Sequence, residues 1–141
     1  MHGQIKGKFV RTMYWIGIIL DALVGIDILQ TIVIGQSVGI FVPQLTEGIM
    51  YLEIQVAVFM FGWTALLYWG VRDPINRRVL LLLTAFPIVV GLLLSNMYLL
   101  LIGLSNEIII VVNIVIQSVL FVSLLTSFFF AETYARSKQN A

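Results

Sequence analysis

Hydrophobic positions fall into four long runs, Met13 to Ile34, Ile49 to Gly70, Val79 to Leu101 and Ile108 to Phe130, separated by short polar breaks. An α-helix needs about 20 apolar residues to cross the hydrocarbon core of a bilayer, and each run is of that length. The pattern therefore predicts an all-α integral membrane protein, an antiparallel four-transmembrane-helix bundle that forms a single domain over residues 1–141.

The breaks support that reading. Asp73 is placed to cap a helix whose first position is Pro74, a residue that loses nothing there by lacking an N–H. Gly103 suits a helix C-terminus, and Ser105 suits the N-cap of the next helix. Both turns are tight, which sets neighbouring helices antiparallel. The connection GQSVGIFVPQLTEG, residues 35–48, is longer and moderately apolar. Its simplest reading is an extension of the first helix, with a re-entrant or lid segment as the alternative. Pro87, near the middle of the third run, removes an N–H and predicts a kink, and Thr84 is placed to satisfy part of the freed carbonyl. Tyr14, Trp15, Tyr68, Trp69 and Tyr134 mark one membrane interface and Tyr51 and Tyr98 the other, while Trp63 lies deeper.

Composition and charge sharpen the picture. The chain is 60% hydrophobic and 11% charged, against about 25% charged for an ordinary soluble domain. All eight basic residues fall on one side of the four runs. Lys6, Lys8 and Arg11 precede the first, Arg72, Arg77 and Arg78 separate the second from the third, and Arg136 and Lys138 follow the fourth. Basic residues mark the cytoplasmic side, so a multi-pass protein with cytoplasmic N- and C-termini is expected. Dispersed in this way, the cations read as topology signals and contacts to anionic membrane lipid, not as a nucleic-acid surface. The basic start resembles a secretory signal, but no small-residue cleavage site follows and the apolar run carries two acids. It reads as a retained anchor.

The chain has no cysteine, and its one histidine, His2, precedes the first run. Thiolate metal sites, thiol–disulfide chemistry and paired histidine haem ligation are excluded, and no run carries a lysine to anchor a Schiff base. No cofactor and no metal site are expected.

The candidate chemistry lies in the polar residues inside the runs. Counting about 1.5 Å per residue from the nearest interfacial charge puts Asp21 about 15 Å deep and Asp27 about 24 Å from the basic side. Glu53 and Asn96 fall about 27 to 28 Å from that side, Asn113 about 9 Å below the other, and Gln117 one turn deeper, beside Asp21. Asp27, Gln30 and Thr31 share a helix face, as do Asn113 and Gln117. A carboxylate at this depth costs several kcal/mol, so it must face the bundle interior or a water-filled cavity. With no lysine or arginine in any run, protonation, hydrogen bonds or a bound cation must keep it there. Gly17 and Gly25 flank Asp21 on one face, where they would let another backbone approach. Asp27 is rotated by about 120° from Asp21, which points one acid at its own bundle and the other at a neighbouring subunit, and a homo-oligomer is expected.

Asp21, Asp27, Gln30, Thr31, Glu53, Asn96, Asn113 and Gln117 are thus the candidate site, polar from the outside down to Asp21 and apolar below, where the only polar groups are the hydroxyls of Thr64, Thr84, Ser123, Thr126 and Ser127. Oxygen ligands of this kind suit a proton or a monovalent cation, which points to a channel or transporter with an outward-facing polar site. The alternative is a non-catalytic accessory or assembly subunit that binds another membrane protein, its acids acting as interhelical hydrogen bonds worth about 1 kcal/mol each. A lipid-active enzyme is the weakest reading, because no metal-ligand cluster, Cys–His or Ser–His pair, or phosphate loop is present. Glu132 and Arg136 read as an exposed ion pair of small energetic value.

Overall fold

A computed structural model describes residues 2–34, 50–103 and 107–139. The described chain is helical, with α1 at His2–Ile34, α2 at Met50–Val71, α3 at Val79–Leu83, a π-helical turn at Thr84–Val89, α4 at Val90–Ile102 and α5 at Glu107–Gln139. The third apolar run, from α3 through the π turn to α4, is continuous. Four helices are therefore long and apolar enough to cross a membrane: Gly7–Ile34, Tyr51–Val71, Val79–Ile102 and Ile108–Ser137. Segment 35–48 and Ser105, for which a helix extension and an N-cap were expected, lie outside the described residues.

The outermost helices are longer than the apolar runs. α1 and α5 have 33 residues each, about 50 Å at 1.5 Å per residue, against a hydrocarbon core of about 30 Å. Charge ends an apolar run without ending a helix. Lys and Arg are good helix formers, and no proline interrupts either end, so α1 passes through Lys8 and Arg11 and α5 through Arg136. Gly103, by contrast, does close α4, adopting the left-handed conformation at φ 65° and ψ 24° that side-chain-bearing residues avoid.

Two local expectations are corrected. Residues 72–78 form a turn, and α3 begins only at Val79, after an N-cap position, Arg78, that makes no side-chain cap. The Asp73 carboxylate accepts instead from the Asn76 amide, Nδ2 to Oδ2 at 2.8 Å. That short-range pairing competes with the backbone N–H groups a cap would satisfy. Pro87 widens the helix into the π turn, which accommodates the pyrrolidine ring and the missing N–H. The Thr84 hydroxyl donates to the Leu80 carbonyl at 2.7 Å and not to a carbonyl freed at Pro87, because a threonine in a helix reaches its own i−4 oxygen.

α1 packs against both α2 and α5, and the third apolar helix packs against α5. Contacts that rise along α1 fall along α2: Tyr14 lies against Gly70, Gly17 against Leu67 and Gly25 against Phe61. The third and fourth membrane-length helices show the same order, with Arg78 meeting Glu132 and Asn96 meeting Gln117. α1 buries Val10, Met13, Tyr14, Gly17, Ile18, Asp21, Gly25, Asp27, Ile28 and Thr31, a recurrence mostly every three to four residues that keeps one broad face on its neighbours. The larger hydrophobic core, built on Val10, Tyr14, Leu67, Leu81, Ala85, Val89 and Leu124, lies toward the basic end. Among the described residues, a smaller cluster, Ile28 and Ala57 with Val24 and Ile32, forms further along α1. Large apolar side chains on all four helices, among them Val33, Val58, Leu101 and Val119, are exposed, the surface a lipid-facing bundle would present.

Candidate functional site: buried carboxyls on α1

Asp21 and Asp27 are both buried inside the single chain, 9% and 8% exposed. The expectation that one of them points at a neighbouring subunit is thereby corrected. Two acids about 120° apart both reach the interior because α1 is flanked by two helices, which cover a wider arc than a single partner would. In each carboxyl one oxygen, Oδ2, is buried with no hydrogen-bond partner among the described residues. An oxygen in that state is costly unless a proton, a cation or a water completes it.

The glycines beside Asp21 act through side chains. A Cβ at Gly17 would stand 3.0 Å from Leu67 Cδ1, and one at Gly25 would stand 3.1 Å from Phe61 Cζ. Leu67 and Phe61 thus fill the notches where a backbone was expected. Between them, Asp21 is held at the level of Trp63 and Thr64 on α2. Thr31, one turn beyond Asp27 and buried, donates its hydroxyl to the Asp27 backbone carbonyl at 2.8 Å and leaves the carboxylate untouched. Gln30 is exposed and Glu53 half-buried.

Gln117 is paired with the third helix. Its Oε1 accepts from Asn96 Nδ2 at 3.0 Å, and the same nitrogen reaches the Leu92 carbonyl at 3.1 Å. The Asn96–Gln117 pair therefore joins the third helix to α5. Asn113, one turn beyond Gln117 and half-buried, continues the polar face of α5. The candidate residues thus divide into the acids on α1 and an amide pair joining α4 to α5.

Sequence reasoning missed three features. Trp63 Nε1 donates to Thr84 Oγ1 at 3.1 Å, which joins α2 to the π turn through an oxygen that itself bonds Leu80. Ser127 is fully buried, and its Oγ has no partner among the described residues. Its place in the inner half was readable, but its burial was not. Glu132, expected only to pair with Arg136, bridges two arginines, accepting from Arg78 Nε at 2.5 Å and from Arg136 Nε at 2.9 Å. This ties α5 to the turn that precedes α3.

Among the described residues, no three His, Cys, Asp or Glu side chains gather in a way that could hold a metal ion. The chain matches no protein-family model, no curated protein and no solved structure.

Proposed function

We propose that the chain is an integral membrane protein, an antiparallel four-helix bundle with both termini cytoplasmic, that moves protons or a monovalent cation by way of Asp21 and Asp27. The antiparallel arrangement is supported by the falling order of contacts along α2 and α5. The topology is supported by the basic residues grouped at one end. The observation that carries the functional reading is the pair of buried carboxyl oxygens without a hydrogen-bond partner. Carboxyls that served only to join helices would spend both oxygens on neighbours.

In this reading Asp27, nearer the outside, exchanges first, and Asp21 receives the ion deeper in the bundle. The two are about 9 Å apart along the helix axis, beyond direct contact, so water must bridge them. The π turn at Pro87 is the hinge that lets the third helix swing toward or away from α2. A second reading, an accessory subunit for another membrane protein, is favoured by one feature. An open apolar groove of about 360 Å³ runs between α2 and the third helix, lined by Val56, Phe59, Met60, Trp63, Ile88 and Leu92 among others, and another helix would fit there.

Flux into proteoliposomes under an imposed proton or cation gradient separates the two. Transport by the wild type, abolished in Asp21→Asn and Asp27→Asn variants that unfold at the same denaturant concentration, supports the first reading. Equal flux in wild type, both variants and empty liposomes would sink it.

A further inference from the structure

At the basic end, an open cleft of about 480 Å³ lies between the start of α1 and the turn after α2, lined by Gly7, Lys8, Arg11, Val71, Arg72 and Pro74. Three of its six lining residues are cations. The neighbouring cations are engaged elsewhere: Arg78 and Arg136 share the Glu132 carboxylate. The Arg77 guanidinium lies 3.5 Å from the centroid of the Trp69 ring and bonds the Trp69 carbonyl. Lys8, Arg11 and Arg72 have no carboxylate partner among the described residues, and the adjacent Asp73 carboxylate is turned to Asn76. Cations gathered without a counter-charge repel one another unless an anion lies among them.

The cleft is also shaped for an anion attached to something apolar. Lys8 and Arg11 are three residues apart on one face of α1, so both reach the same side. Arg72 faces them from the turn, its guanidinium 5.7 Å from the Tyr68 ring centroid. Gly7 leaves the floor open, since a Cβ there would meet nothing within 4 Å. Buried Val71 forms an apolar wall on the side toward the bundle. Two guanidinium groups with several N–H donors each, an ammonium group and an apolar wall match a phosphate group better than a carboxylate or a halide.

We infer that this cleft binds a phosphate group, carried by the headgroup of an anionic phospholipid or present as free phosphate. The proposal is independent of Asp21 and Asp27, so a failed transport assay leaves it standing. The test is native mass spectrometry of the full chain in a neutral detergent, titrated with dihexanoyl phosphatidic acid, dihexanoyl phosphatidylcholine and inorganic phosphate. Each lysine or arginine near an anionic surface contributes enough that losing two of them weakens binding about tenfold or more. Phosphatidic acid should therefore bind saturably to the wild type and at least about tenfold more weakly to Arg11→Gln/Arg72→Gln. Binding should be unchanged in Arg136→Gln and retained in Arg11→Lys/Arg72→Lys, which keeps the charge if the neutral variant folds poorly. Competition by inorganic phosphate at similar concentration identifies free phosphate as the ligand. Competition only at far higher concentration identifies the lipid. Equal binding of phosphatidylcholine, or equal binding by the neutral double variant and the wild type, would overturn the proposal.

Discussion

Replacing Gly70 with alanine should destabilise the bundle more than any other glycine-to-alanine change in α2 or the third helix. A Cβ at this position falls well inside van der Waals contact of Tyr14 Cε1, and lies 3.1 Å from Tyr14 Cδ1 and 3.0 Å from Leu80 Cδ1. Leu80 can turn its methyl aside. Tyr14 cannot, because it is fully buried and its hydroxyl is anchored at 2.7 Å to the Arg77 carbonyl. Overpacking of this kind costs about 1 to 3 kcal/mol, and losing the anchored hydrogen bond adds about 1. Alanine's better helix propensity returns roughly 0.5 to 1. The net expectation is about 2 kcal/mol of destabilisation, up to about a 30-fold change in the folded-to-unfolded ratio. Gly62→Ala and Gly91→Ala are internal controls, since a Cβ at either meets nothing within 4 Å and should leave stability unchanged or slightly raised. Denaturant unfolding in mixed micelles, followed by circular dichroism, measures all three. A second check is Tyr14→Leu, which removes the obstacle and should make the cost of Gly70→Ala in that background much smaller. Gly70→Ala unfolding together with Gly62→Ala would refute the close approach of α1 to α2 on which this packing scheme depends.

Two further outcomes test other parts of the packing. Thr84→Val should cost roughly 1 kcal/mol in the same unfolding assay, because Trp63 loses its acceptor. Trp63→Phe should cost a similar amount, and the double variant no more than the larger single effect; strict additivity would show that the two do not act together. Arg78→Gln should lower the unfolding midpoint more than Arg136→Gln. Arg78 joins two segments far apart in the chain and also bonds the Ile75 carbonyl, whereas the largely exposed Arg136 pairs only within its own helix turn. The reverse order would show that the tie between the turn and α5 carries no stability.

The four membrane-length helices were readable because uninterrupted apolar runs of that length have few other uses, and Gly103 because a left-handed helix end admits few other residues. The true ends of α1 and α5 were not, since Lys8, Arg11 and Arg136 mark a change of solvent and not a change of backbone. Asp73 misled for a local reason: three residues away the Asn76 amide offers its carboxylate a donor in place of the backbone N–H a cap would use. Counting depth placed Asp21 inside the bundle correctly. The same counting could not join Gln117 to Asn96, because the register of one helix on another is set by pairs such as Arg78–Glu132 and Asn96–Gln117, which lie far apart in the chain. Helical rotation separated Asp21 from Asp27, yet it could not say how many neighbours α1 has. Trp63 and Thr84 were each noticed singly, and only the packing of α2 on the π turn joins them.

The most direct test of the central claim is whether the buried acids take up and release protons while the protein stays folded. Infrared difference spectra recorded between two pH values on protein in lipid bilayers report this through the protonated-carboxyl stretch and its shift in heavy water. The account predicts a pH-dependent band that loses one component in Asp21→Asn and another in Asp27→Asn. A spectrum without such a band, or with one that neither variant alters, would contradict it and leave the acids as fixed parts of the helix packing.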